Sequence, residues 1–512
     1  MKRRDFLKRV SAILTMQGLL GSHVSLLGQV NSGLSSKKQK AARTGVILDQ
    51  DWKEFRAGYK ELKVNGKLPR ELTGVLFRNG PGIKDFYGQV QGHLFDGHGV
   101  ISAFYFNRGK IRHHARVTET ERYLLELKAK QTVYPLFGTD VKVPKDIELS
   151  SSWPVNQANI NAIVVDKKLW ALNEASGFYQ LDPKTLTVVR KGFTAEEFQD
   201  WPFPAHPRID MKNKKIYATT YLIPQGGFIV YRLNFKGEVE SYKVIKMPTA
   251  PMIHDSITTE RYIICLVPPY STELPLDVED TIVSGFRFFK DQPTRIYVFE
   301  KENLENFKVF ETKGQFAFHF DNAYERGNDE IVTHFPSYSD PYEVINKAFA
   351  KLDFANIVEE SQHIPRYKKL VLNTKTRQVK EDNLTTGLAE FPRINTDYGE
   401  KHNRFTAFIG NSGDGGYFRE LFYMNNDTGA VEKFLYPKEY HLEEHVVYPK
   451  KKKTSERSVW IMGVSHSPKK QHSVLNIFDG ETPISSGPIA NIELPYLLHY
   501  CFHGNYYDKS AI

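Results

Sequence analysis

Cysteine is nearly absent from this 512-residue chain, with Cys265 and Cys501 the only two. They lie in the apolar stretches IICLV and LHYCFH without CxxC spacing. That excludes a disulfide framework, argues against a thiolate-held metal and leaves two isolated core thiols. Long hydrophobic runs are missing as well: beyond the N-terminus no stretch of about 18 uncharged apolar residues occurs, so a soluble, well-packed body is expected. Neither charge sign dominates, with 69 Lys and Arg against 60 Asp and Glu. Part of the net +9 belongs to a leader containing Lys2, Arg3, Arg4, Lys8 and Arg9, followed by Lys37, Lys38, Lys40 and Arg43. The internal basic run Lys450 to Lys453, between Pro449 and Thr454, reads as a solvated turn. A nucleic-acid groove needs dispersed basic and aromatic positions, and no nucleic-acid partner is expected.

What is present begins with an address. MKRRDFLKRVSAILTMQGLLGSHVSLLG has a basic start and a modestly apolar segment broken by Ser, Thr, Gln and Gly, the profile of a signal peptide. Arg3, Arg4, Asp5, Phe6, Leu7 and Lys8 resemble the twin-arginine export signal RRxFLK. Residues 1–28 are therefore expected to direct export of the folded protein to the periplasm, a route suited to a protein that takes up its metal beforehand. Residues 29–51, polar and rich in Ser, Lys and Gln, read as a flexible linker.

Residues 52–512 form one strand-rich unit with no internal linker. Runs such as GVLFRNG, AIVVDKKLWALNE, KIYATTYLI, YIICLV and TRIYVFEK are rich in β-branched and aromatic residues and are separated by Gly, Asn, Asp and Pro. So many strands in one unit must bury their edges, and radial repetition in a propeller does so without an obvious sequence repeat. The segment Tyr342 to Glu360 departs from this pattern. Val344, Ile345, Ala348, Phe349 and Leu352 fall near helical spacing, which predicts a helix laid over one face as core cover or as a lid.

Four of the 17 histidines share a setting, the end of an apolar strand followed by turn residues or a carboxylate. They are His206 in FPAHPRID, His254 in PMIHDSI, His319 in FAFHFDNAYE and His503 in HYCFHGNYY, separated by 48, 65 and 184 residues. With roughly 45 to 65 residues per blade, the first two intervals each advance about one blade and the third several. Inner strands of a propeller point at a common axis, so one His from each of four blades can converge on an ion such as iron, copper, nickel or zinc. Taken singly, each is more often a satisfied core or surface histidine than a ligand.

The ordered set of motifs resembles the carotenoid cleavage oxygenases over roughly residues 60 to 507. RNGPG at Arg78 and HLFDGHG at His93 resemble RNGPNP and HWFDGDGM of that family, and NQANIN at Asn156 resembles NTANTN. LWALNEASGFYQLDPKTL, EFPRIN at Glu390, EHVVYP at Glu444 and ELPYLLHYCFHG at Glu493 follow in the family's order. The resemblance implies an all-β, seven-bladed propeller with a helical or loop cap over the metal-bearing face. It also implies one Fe2+ per chain held by His206, His254, His319 and His503. The family's glutamates that accept hydrogen bonds from ligand imidazoles match Glu174, Glu390 and Glu444, paired by analogy with His254, His319 and His503; Glu443 is the rival for the third place. His98, Gln157, Ile160 and Ala175–Ser176 depart from the family's blocks without removing any of these residues.

The chemistry so implied is oxygen addition across a conjugated double bond, then scission to two carbonyl products. Four neutral ligands leave coordination positions open for O2, as in a catalytic rather than a structural metal site. The expected substrate is a lipophilic carotenoid or apocarotenoid, with a phenolic stilbene as the alternative if a Tyr and a Lys anchor it. Isomerisation or ester cleavage of a retinoid-like polyene, and a non-catalytic polyene-binding propeller, are the remaining readings. Phe86, Tyr134, Phe137, Phe318, Phe320 and Tyr324 are candidate tunnel-lining aromatics, and a lipophilic substrate makes peripheral membrane contact an expectation as well.

Overall fold

The computed structural model describes residues 60–145, 147, 155–199, 201–223, 225–272, 281–349, 365–385, 387–412 and 418–512. The expected signal, 1–28, and linker, 29–51, lie outside them.

Hydrophobic alternation and short turns build seven antiparallel sheets arranged as blades. Blade three illustrates the logic with Arg208–Asp210, Lys215–Tyr221, Phe228–Asn234 and Val239–Ile245 in that order from the axis. Its second and third strands are buried on both faces, because each blade is covered by a neighbour on either side. Its outer strand is only partly covered. Blades two, four, five and six repeat this four-strand pattern, and their inner strands are Asn161–Val165, Ser256–Thr258, Asn322–Arg326 and Leu388–Ile394. The apolar interior is accordingly split into wedges: Trp170 and Phe178 meet Ile216 and Tyr231 between blades two and three, and Ile409 and Leu421 meet Ile461 and Phe478 between blades six and seven.

The ring closes with both chain ends. The C-terminal strand His503–Asp508 becomes the inner strand of blade one and pairs with Gly74–Ile83, His503 opposite Asn79. The N-proximal strand Val64–Gly66 pairs with Ala490–Leu494 at the outer edge of blade seven. Closure removes the sheet edges that an open stack would expose, and it makes the placement of His503 depend on contacts more than 400 residues away in sequence.

A cap of irregular chain covers one face. It includes the helix Glu121–Ala129, capped by Thr120, whose hydroxyl accepts from Tyr123 N at 3.1 Å. It also includes the small sheet of Ala250–Pro251, Tyr270–Thr272 and Phe286–Phe288. Of the helix expected over Tyr342 to Glu360, the described part is a wide turn of π type, Glu343–Ala348; residues 350–360 lie outside the described residues. Val344 and Ile345 are buried as expected. Tyr270 donates its hydroxyl to Asn346 Oδ1 at 2.5 Å, and Ile345 O lies 3.0 Å from His93 Nε2, so the turn is pinned to the cap from two sides. No helix among the described residues is long and apolar enough to cross a membrane.

The reading of Lys450 to Lys453 as a solvated turn needs correction at its first residue. Lys450 is buried, pairs with Asp479 and Glu481 at 2.5 and 2.6 Å, and lies 4.2 Å from the centre of the Trp460 ring. Two carboxylates and a ring face compensate the buried ammonium. Lys451, Lys452 and Lys453 are exposed as expected. Cys265 and Cys501 are both free and buried.

Candidate metal centre and its cavity

Each of the four histidines stands at the mouth of an inner strand. His206 precedes Arg208–Asp210, His254 precedes Ser256–Thr258, His319 precedes Asn322–Arg326, and His503 opens His503–Asp508. Blades three, four, five and one thereby bring one ring nitrogen apiece to within 4.8 Å of one another. His206 Nε2 lies 3.1 Å from His254 Nε2, and His319 Nε2 lies 3.1 Å from His503 Nε2.

The remaining inner positions supply carboxylates. Glu390, on the inner strand of blade six, accepts from His319 Nδ1 at 2.6 Å; Glu444, in blade seven, accepts from His503 Nδ1 at 3.0 Å. Glu174, in the turn between Lys168–Leu172 and Tyr179–Leu181 of blade two, places Oε2 2.7 Å from His254 Nδ1, in a contact that misses the alignment of a hydrogen bond. All three pairings expected from the sequence are thus brought together. His206 meets no carboxylate among the described residues. Glu443 touches none of the four histidines: it accepts from Arg78 Nε at 3.0 Å and from Cys501 N at 2.9 Å, and lies 3.2 Å from His466 Nε2.

The backbone bends to make these placements. Phe391 has φ of 54°, and the pairing register shifts between Glu390 and Arg393. Ala175, beside Glu174, and Ala158 also take positive φ, a left-handed conformation that costs energy for a residue with a Cβ and concentrates at functional sites.

The hydrogen bonds decide what the ring nitrogens facing one another carry. A neutral imidazole holds one proton, and in His319 and His503 that proton sits on Nδ1, donated to Glu390 and Glu444. Their Nε2 atoms therefore present two bare lone pairs at 3.1 Å, an arrangement a cation between them satisfies. Two nitrogens about 2.1 Å from a shared ion and at right angles would lie about 3 Å apart, so the spacing fits cis ligands on one metal. At two of the ligands protonation that would expel a cation is opposed: burial and the surrounding His503, His254 and His319 hold His206 well below the ordinary imidazole value. Burial holds His503 at about 3 despite Glu444. At His254 burial acts in the same direction and is the largest single influence, but the Glu174, Asp255 and Glu390 carboxylates together outweigh it and the net shift is upward.

Three further residues brace the carboxylates. Arg78 is fully buried and donates to Glu444 Oε2 at 2.8 Å as well as to Glu443. Arg393 donates to Glu444 Oε1 at 2.8 Å, and Tyr338 donates its hydroxyl to Glu390 Oε1 at 2.6 Å. Burial alone would raise Glu444, but Arg393, His503 and Arg78 hold it well below the usual carboxylate range. Arg78 and Arg393 sit inside the RNGPG and EFPRIN blocks, so a basic residue within a site motif was the signal that could have found them. Tyr338 lies in no such block.

His254, His319 and His503 form part of the wall of a cavity beneath the cap. The rest of the wall is dominated by rings, including Phe95, Phe318, Phe349, Phe391, Phe418 and Phe502. Of the aromatics expected there, Phe137 and Phe318 line it. Phe86, Tyr134, Phe320 and Tyr324 instead pack in other clusters, Phe86 against Val100 and Tyr123, and Phe320 against Phe335. No Lys or Arg belongs to the described lining.

A family model described as retinal pigment epithelial membrane protein matches residues 50–508. The chain belongs to this family, that of the carotenoid oxygenases. Among curated relatives of this carotenoid oxygenase, carotenoid cleavage oxygenase 1 of Neurospora crassa is 24% identical over 90% of this chain and 89% of its own length. Apocarotenoid-15,15'-oxygenase of Synechocystis sp. is 24% identical over 86% and 92%, and lignostilbene-alpha,beta-dioxygenase isozyme III of Sphingomonas paucimobilis 24% identical over 88% and 94%. A solved structure of the cobalt-substituted Synechocystis enzyme superposes with a TM-score of 0.78 at 21% identity, over 91% of this chain and all of that one. The propeller fold and the oxygenase class expected from the sequence both stand.

Proposed function

We propose that this chain is an iron(II)-dependent dioxygenase that splits one conjugated C=C bond of a carotenoid or apocarotenoid with O2, each former alkene carbon leaving as an aldehyde or ketone. The observation that carries this reading is the set of four histidine nitrogens, two of them with lone pairs face to face at 3.1 Å, opening on an aromatic cavity. His206, His254, His319 and His503 are the proposed ligands, with Glu174, Glu390 and Glu444 behind three of them. When bound, ferrous iron supplies the capacity to activate dioxygen, which no side chain here has.

The chain's own residues supply placement. Glu390 and Glu444 keep the Nδ1 protons in place, which fixes the tautomer and raises ligand basicity. Phe318 stands edge-on 5.0 Å from the His254 ring, and Phe391 stacks 4.9 Å from His319. The walls nearest the ligands are therefore rings that neither protonate an intermediate nor admit much water. The carboxylates that reach the cavity, Glu174 and Glu390, are both engaged with imidazoles, so the reaction uses no free general acid or base. The absence of Lys from the described lining favours a polyene over a phenolic stilbene, which a Tyr–Lys pair would anchor. We further propose export to the periplasm through Arg3 and Arg4, and peripheral membrane contact for uptake of the lipophilic substrate.

The test is metal content together with oxygen-dependent bleaching of a carotenoid and a stilbene panel. Near-stoichiometric iron is expected, with bleaching lost in His254→Ala and reduced about 10- to 100-fold in Glu390→Ala. A folded protein that takes up no iron under anaerobic ferrous loading and bleaches nothing would overturn the enzyme reading and leave a polyene-binding propeller.

A further inference from the structure

Behind the histidines of blades three, four and five lies an arginine–carboxylate pair that bonds to backbone rather than to rings. Asp255, which follows His254, is buried, and its Oδ2 accepts from Arg208 Nη2 at 2.6 Å and from Phe320 N at 2.9 Å. Its Oδ1 accepts from Ser256 N at 2.7 Å. Arg208 also donates through Nε to Ser256 O at 2.6 Å. Arg208 stands two residues after His206, and Phe320 is the residue after His319. One carboxylate therefore joins the segments that bear three of the four proposed ligands.

Bonds of this kind fix where a histidine's backbone stands, and His206 depends on its backbone most, since its ring meets no carboxylate among the described residues. Pro207 separates His206 from Arg208. Its ring sets its own φ near −65° and restricts the residue before it, so an anchored Arg208 limits the positions open to His206. The fourth ligand is held by a similar construction. Glu444 accepts from Gly504 N, the residue after His503, at 3.1 Å, and Arg393 donates to Glu444 Oε1 at 2.8 Å and to Gly504 O at 3.0 Å. Arg208 and Asp255 thus repeat, for blades three to five, the bracing that Arg393 and Glu444 give to blades six, seven and one.

We propose that Arg208 and Asp255 are positioning residues for the metal: their ion pair holds His206, His254 and His319 at the spacing that one divalent ion requires. Desolvation offsets much of the attraction in a pair whose carboxylate is buried, so its main contribution is ligand geometry. Residues that orient ligands from behind contribute about 10- to 100-fold to metal affinity. Lysine does not replace Arg208, because a single ammonium lacks the planar fork that takes Asp255 Oδ2 and Ser256 O together. This inference rests on the reading of the four histidines as metal ligands, but not on the identity of the substrate.

The experiment titrates the full-length, metal-free protein with cobalt(II), whose visible absorption reports coordination geometry, and follows unfolding of the metal-free protein in parallel. Arg208→Met and Asp255→Asn are each expected to weaken cobalt binding about tenfold and to shift the visible spectrum. The double variant should bind no more weakly than the weaker single variant, because the two residues act as one unit. Arg208→Lys should behave as Arg208→Met does, and it carries the same comparison if the methionine variant does not fold. Arg261, at the other end of the same inner strand from His254, pairs with Glu325 of blade five; Arg261→Met should leave affinity and spectrum unchanged. Folded variants of Arg208 and Asp255 with wild-type affinity and spectrum would overturn the positioning role and leave the metal site standing. Losses that multiply in the double variant, or that Arg261→Met reproduces, would overturn it as well. A wild-type protein that binds no cobalt would refute the metal reading and the positioning role together.

Discussion

His254 with Glu174 and His503 with Glu444 are equivalent pairings in opposite surroundings. Glu444 is bound by two arginines, Arg78 and Arg393, and by the backbone N–H of Gly504 at 3.1 Å in addition to its histidine. Glu174 meets its histidine alone, in an unaligned contact. The result is visible at the imidazoles: burial takes His503 down to about 3, whereas at His254 the Glu174, Asp255 and Glu390 carboxylates together outweigh burial and lift it above the ordinary value. One carboxylate is built into the scaffold and the other serves the site. Removing the first should damage the fold and the metal together, and removing the second should damage the metal alone.

The largest effect tests what the two pairs share. His254→Ala and His503→Ala should each abolish stoichiometric metal binding while leaving a folded propeller, measured by metal analysis alongside circular dichroism. Stoichiometric metal retained by either variant would break the comparison at its root. Next is Arg78→Met, which strands Glu443 and Glu444 as buried, less compensated charges. A loss of about 3–5 kcal/mol in denaturant unfolding is expected, and an unchanged midpoint would remove Arg78 from the account.

The comparison is sharpest in the paired variants Glu174→Gln and Glu444→Gln. Each should weaken metal affinity by about 10- to 100-fold, but only Glu444→Gln should also lower stability, by about 1–3 kcal/mol, because buried Arg78 and partly buried Arg393 lose the opposite charge and one of them its acceptor. The smallest effect concerns acid. The folded value of Glu444 lies well below its unfolded value of 4.5. Its contribution to stability is therefore complete above about pH 4.5 and is lost as pH falls below that value. Glu444→Gln should show a shallower loss of stability than wild type on acidification from pH 5. An identical acid limb in the two proteins would contradict that assignment.

Much of the site was legible because its signals are local. His206, His254, His319 and His503 each end an apolar run before a turn, which is where an inner strand begins, and Glu390 and Glu444 lie in short motifs whose spacing survives folding. The motif EHVVYP favoured Glu444 over Glu443, but what keeps Glu443 off those histidines is not local. Both lie between the strands His441–Leu442 and Val446–Pro449 and both meet Arg78, and it is the approach of His503, 59 positions beyond Glu444, that separates them. The same limit explains the aromatics. Phe86, Phe320 and Tyr324 were expected to line a tunnel and are buried, but in a molecule with several wedge-shaped interiors aromatic character does not say which interior a ring enters. Lys450 misled for the complementary reason: a run of lysines signals solvent, and the acids and Trp460 ring that bury its first member lie on other strands.

The central claim is that four imidazoles and no carboxylate hold one metal ion. X-ray absorption on anaerobically iron-loaded protein tests it directly. The account predicts one ferrous ion per chain with four nitrogen ligands at about 2.1 Å, falling to three in His206→Ala, the histidine that meets no carboxylate among the described residues. A first shell containing carboxylate oxygen, or an unchanged shell in His206→Ala, would contradict it.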